Sequence, residues 1–211
     1  DPQRVLPDQE CEGLGGASGG TVVVHTGDRS AVNGSGVVTA RGATGTQFNA
    51  GSDVTPTAGG AGGRVQLPCC AIDETIAMPH CAQHVLYGVK ADASGGSHSE
   101  QEPGQCDSGG AGTVLYDDCG QGATRITVDN SGKPTGSRSH IVGSYEPAHH
   151  PHELQVSNGA LLEQQSGMSI YAINSISLRQ GAKISLDFGQ DIVTPQLELV
   201  SSVIAGTTPD R

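Results

Sequence analysis

Three histidines and two carboxylates stand within one eight-residue stretch: Glu146, His149, His150, His152 and Glu153. Imidazole and carboxylate together make the donor set of Zn²⁺ and Cu²⁺ sites. Pro147 and Pro151 interrupt the same stretch. Loop histidines close in sequence converge on one ion only when a scaffold orients them. The expectation is a solvated Pro/His loop, with His149, His150 and His152 as the metal-ligating alternative. No cofactor is expected, although an acidic surface is compatible with calcium or another divalent cation.

Cys106-Asp107-Ser108-Gly109-Gly110 differs in its first residue from the Gly-Asp-Ser-Gly-Gly phrase around a serine-protease nucleophile. A triad also needs a histidine positioned as base. His80-Cys81 lacks the small-residue context of that base, so the phrase is a coincidence of a glycine-rich chain. Asp107, Asp117 and Asp118 raise a different possibility, because glycoside hydrolysis uses carboxylates held at defined separations. Adjacent residues of a strand point to opposite faces, so Asp117 and Asp118 do not form a pair. The expectation is that the chain is not an enzyme. A polysaccharide lyase or hydrolase is the catalytic alternative.

The six cysteines are Cys11, Cys69, Cys70, Cys81, Cys106 and Cys119. Their even number, the acidic Gly/Ser/Thr-rich setting and the lack of a zinc-type CxxC pair favour disulfides and an extracellular or cell-surface location. Six cysteines admit about 15 pairings, and spacing does not choose among them. Asn33-Gly34-Ser35 is a glycosylation sequon on a turn. Thr55-Pro56-Thr57 and Thr207-Thr208-Pro209 suit O-linked sugar.

The elements that must carry these residues are short. Gly15 to Val24, Gly59 to Leu67 and Gly109 to Tyr116 each run from a glycine-rich turn straight into a β-branched stretch. Between them stand Gly36-Val37-Val38-Thr39-Ala40 and Gly88-Val89-Lys90-Ala91. Thr124 to Asp129 alternates apolar and polar and ends in a turn signal. Leu154 to Leu162 is echoed by Ile176 to Ile184, an offset of 22 residues measured from Gly159 to Gly181. Recurring units of roughly 20–25 residues are the signature of stacked repeats. No stretch carries a helical stripe, so almost no helix is expected.

Composition agrees. Of 211 residues 32 are Gly, and there are only 2 Phe, 4 Tyr and no Trp. The core must be filled by aliphatic side chains in thin layers. No Gly-X-Y period appears, which excludes collagen. The formal charge is −11 without a basic run, which argues against nucleic acid as partner. No run of 18 apolar residues exists, so no membrane span is expected. No signal peptide opens the chain, and its two ends read as those of a processed product or of part of a longer chain.

The phrases Gly-Ala-Ser-Gly-Gly-Thr-Val-Val-Val, Gly-Ser-Gly-Val-Val-Thr-Ala-Arg-Gly and Gly-Gly-Ala-Gly-Gly-Arg-Val resemble the glycine-rich, right-handed parallel β-helix regions of large extracellular surface and adhesin-like proteins. Gly-Gly-Ala-Gly-Thr-Val-Leu-Tyr, followed by Ile-Thr-Val-Asp-Asn-Ser-Gly, continues the resemblance. It covers about residues 15–142, with 154–204 as generic β-helix. The cysteine-rich insertion is closer to eukaryotic surface proteins, and an algal or protist surface appendage of the mastigoneme type is a suitable setting. The resemblance implies an all-β, right-handed parallel β-helix (solenoid) with disulfide-pinned loop insertions. Residues 1–14 are expected as a leader or cap and 15–142 as the glycine-rich β-helix with its insertion at 68–84. Residues 143–153 are the His/Pro loop, and 154–211 further rungs and a tail.

The function implied is an extracellular structural module that builds or decorates a surface filament or cell-surface assembly. Its partners would be other copies or other chains of a filament, with glycans also possible. The alternative is an adhesin, or a β-helix protein that binds or cleaves carbohydrate.

Overall fold

The computed structural model describes residues 16–24, 35–46, 48–50, 53–55, 57–68, 89–98, 108–117, 124–133, 139–140, 151–163, 169–187 and 189–206. Among them the fold is all-β and contains no helix, as the absence of any helical stripe predicts. The glycine-rich region holds β1 (Thr21–Val23), β2 (Val37–Thr39), β3 (Phe48–Ala50), β4 (Asp53–Thr55), β5 (Arg64–Pro68), β6 (Lys90–Asp92) and β7 (Thr113–Asp117). The second region holds β8 (Thr124–Asp129), β9 (Ser139–His140), β10 (Glu153–Ser157), β11 (Leu161–Glu163) and β12 (Ile170–Tyr171). It continues with β13 (Ser175–Arg179), β14 (Lys183–Leu186), β15 (Ile192–Val193), β16 (Gln196–Val200) and β17 (Val203–Gly206).

One seven-stranded sheet, in the order β1-β5-β7-β8-β10-β13-β16, runs through both regions. The three glycine-rich phrases do lead into paired strands, with Thr21, Arg64 and Thr113 in one register row. Pairing is not parallel throughout, because β7 and β8 are antiparallel, as are β3 and β4. β1, β5 and β7 therefore run opposite to β8, β10, β13 and β16.

In the second region, β8, β10, β13 and β16 pair in parallel, and β9, β11, β14 and β17 form a second parallel ladder. A third, short ladder joins β12 and β15. The 22-residue echo is real register: Leu154 pairs with Ile176 and Leu161 with Lys183. Alternation sends one face inward. Leu154, Val156, Ile176, Leu178, Leu162 and Ile184 are at most 1% exposed and stack as columns of like side chains. The corners between ladders use left-handed residues: Ser131-Gly132, Asn158-Gly159 and Gln180-Gly181 all have φ between 53° and 78°. Gly132 N donates to Asn158 O, and Gly159 N to Gln180 O, so the corners stack as well. Ala160 and Ala182 follow the corners and are fully buried, which explains the recurring Gly-Ala phrase.

The glycines before β1, β5 and β7 are not turns. Among the described glycines only Gly132, Gly159, Gly181 and Gly189 have positive φ, and all four lie in the second region. The glycine-rich residues instead form five extended segments, 16–20, 40–46, 57–63, 93–98 and 108–112, hydrogen-bonded to one another. The bonds advance in steps of three residues. Gly16 N donates to Ala58 O and Gly19 N to Ala61 O; Gly42 N donates to Ser94 O and Gly45 N to Ser97 O. Oppositely running segments step the same way, with Gly60 N to Ala43 O and Gly63 N to Ala40 O, then Gly109 N to Gly96 O and Gly112 N to Ala93 O.

Three residues per turn, with all hydrogen bonds external to the segment, is polyproline II geometry. Here the extended segments form a bundle without a Gly-X-Y period. Side chains are excluded from its interior by distance. A Cβ on Gly96 would lie 1.8 Å from Ala43 O, and one on Gly62 would lie 1.8 Å from Ala93 O.

Candidate functional site

The face of β8, β10, β13 and β16 that points away from the aliphatic columns is polar. Register aligns Arg125, Glu153, Ser175 and Gln196 in one row and Thr127, Gln155, Ser177 and Glu198 in the next. All of these except Thr127 frame a shallow groove of ≈ 410 Å³, bounded also by Arg179. Arg125 donates to Glu153 Oε2 from Nε at 2.7 Å and also from its terminal nitrogen. Arg179 donates to Glu198 at 2.6 Å. Both pairs link neighbouring strands, and both are partly solvated, so they order the face more than they stabilise it. At the end of β8, Asp129 accepts from Ser157 Oγ at 2.9 Å, Asn158 Nδ2 at 2.6 Å and Ser131 N at 2.6 Å. This surface offers alternating donors and acceptors at the spacing of β-strands. Among its lining residues there is no aromatic ring for a sugar to stack on.

The joint between the two regions holds a buried polar network. Asn130 is fully buried. Its Oδ1 accepts from Gly95 N at 3.0 Å, while Nδ2 donates to Gly109 O at 3.3 Å and Lys133 O at 2.9 Å. Lys133 reaches the carbonyl of Gly95 and lies 3.5 Å from Ser94 Oγ. Burial holds its ammonium below the ordinary lysine value, with the positive charge of Arg41 adding to the effect and Asp92 opposing it. Burial also disfavours ionisation of Asp92, but hydrogen bonds from Arg41 and from Ser94 outweigh it and hold the carboxyl below its usual range. Burial pushes the Tyr116 hydroxyl up.

Ser108 is 2% exposed, and its Oγ lies 3.4 Å from His98 Nδ1. The contact fixes the end of one glycine segment against another.

Of the metal-ligating alternative, His152 lies at the start of β10, where its Nδ1 accepts from Thr124 N at 3.3 Å. Glu153 is committed to Arg125. Glu146, His149 and His150 lie outside the described residues, as do all six cysteines, Asn33, Asp107 and Asp118. The backbone of Asp117 ends β7. Among the described residues no group of three or more His, Cys, Asp and Glu could hold a metal ion. No described helix is long and apolar enough to cross a membrane.

Sequence reasoning missed the polar groove. Its signal lay in the same 22-residue echo, since aligning Leu154 with Ile176 also aligns Glu153 with Ser175 and Gln155 with Ser177. No family model matches this chain, and no curated protein or solved structure does either.

Proposed function

We propose that this chain is an extracellular structural module that builds or decorates a surface filament. Its ladders are read as successive rungs of a right-handed parallel β-helix, with the cysteine-rich segment at 68–84 as a disulfide-pinned insertion. The observation that carries the reading is the register of β8, β10, β13 and β16. It stacks like side chains in columns and, among the described residues, leaves β16 with one edge unpaired. An architecture of nearest-neighbour contacts extends along its axis by adding units. The groove's Arg–Glu pairs are already satisfied internally, which suits a scaffold. Electron microscopy of native material tests the proposal: fibres with an axial repeat are expected, and discrete particles that never associate contradict it.

A second reading is favoured by the polar groove alone. Its rows of Arg, Glu, Gln and Ser suit the hydroxyls of an extended glycan, as in an adhesin or a carbohydrate-binding or -cleaving β-helix. Titration with a panel of polysaccharides tests it. Binding that is lost in Arg125→Ala supports it, and no binding across the panel removes it.

A further inference from the structure

The seven-stranded sheet has two outer strands, β1 and β16. Among the described residues, each has one edge without a paired strand. At the β16 end the aliphatic columns stop in solvent. Ile176 and Leu178 are fully buried, whereas Leu197 and Leu199, next in the same columns, are 45% and 49% exposed. Val193, Val200 and Val203 stand exposed around them. An open strand edge beside an apolar patch is a pairing site.

The neighbouring columns define what fits there. Each lower rung is covered by a strand with aliphatic side chains at alternate positions. The other end of the sheet offers an uncharged strand, Thr21-Val22-Val23, on which Val23 is exposed. Direction also agrees. A second copy displaced along the stack brings its β1 antiparallel to β16, because β1 runs with β7, and β7 is antiparallel to β8. The chain already contains one joint of this type, where Leu115 faces Ile126 across the β7–β8 pair.

We propose that the β16 edge of one copy seats the β1 edge of the next. Such a contact is heterologous and does not close on itself, so it generates a fibre. The inference rests on the filament reading and adds the face through which copies join. Each copy carries −11, so added salt strengthens the association by screening.

The test uses two variants of the full chain under oxidising conditions. Leu197→Glu/Leu199→Glu spoils the β16 end at exposed positions. Val23→Pro spoils the β1 edge. Arg64 N donates to Gly20 O and Val24 N to Gln66 O, so the alternation of a parallel strand turns the Val23 N–H away from β5. Sedimentation velocity should show concentration-dependent growth of the parent and monomers of each variant, with melting temperatures within a few degrees of the parent. An equimolar mixture of the variants should form dimers and nothing larger, through the one intact face of each. Growth of either variant alone overturns the assigned faces and leaves the filament reading standing. A mixture that stays monomeric beside an associating parent also overturns the head-to-tail contact. A parent that stays monomeric at all concentrations and salts overturns the contact, and fibres of native material would then have to be built through other chains.

Discussion

Glycine does two different jobs in the two regions. In the bundle around Gly62 and Gly96 its lack of a side chain lets backbones touch, and a Cβ added at Gly42, Gly60, Gly62, Gly96 or Gly112 meets a carbonyl of another segment. In the ladders Gly132 and Gly181 supply a left-handed corner, and a Cβ added at either meets nothing within 4 Å. The first use is steric and belongs to packing. The second is conformational and belongs to the backbone of one residue. A residue type that is uniform in the sequence thus carries costs of very different size in the fold.

Substitutions grade that difference. Gly96→Ala should be the most damaging, because the new methyl lies 1.8 Å from Ala43 O and 2.4 Å from Ala43 C. Neither atom can rotate away, so the loss should exceed about 4 kcal/mol. Circular dichroism should show no cooperative transition matching the parent's. Leu178→Ala opens a cavity in a fully buried column and should cost about 2–5 kcal/mol by denaturant titration. Asn130→Ala leaves the Gly95 amide and the Gly109 carbonyl without that partner at the joint, at a cost of about 1–3 kcal/mol. Faster amide exchange at Gly95 than in the parent would localise that effect. Gly181→Ala should cost about 1 kcal/mol, since only the φ of 76° opposes it. If Gly96→Ala and Gly181→Ala proved equally mild, the contrast between the regions would collapse.

The ladders were legible in the sequence because side chains carry their pattern. Apolar residues alternate from Thr124 to Asp129, and the echo of Leu154 to Leu162 in Ile176 to Ile184 gave the offset that became register. The bundle was legible only as a recurrence. Glycine shows no inside or outside, so the phrases read as turns, which glycine commonly makes. The missed signal was a spacing of three: Gly16 and Gly19, Gly42 and Gly45, Gly60 and Gly63, Gly109 and Gly112. Polyproline II geometry has that period, and strands and turns do not. In sequence Asn130 stands in the turn signal after Thr124 to Asp129, and its role is hidden because its partners Gly95 and Gly109 come from segments whose approach no local pattern reveals. The polar groove was hidden for a related reason, since its rows exist only once the register is fixed.

Hydrogen exchange of individual glycine amides tests the bundle most directly. The account predicts that the amide protons of Gly60, Gly63, Gly96, Gly109 and Gly112, each bonded to a carbonyl of another segment, persist like those of the ladder strands around Leu178 and Ile184. Exchange of these glycines at the rate of exposed turns, while the ladder amides stay protected, would contradict it.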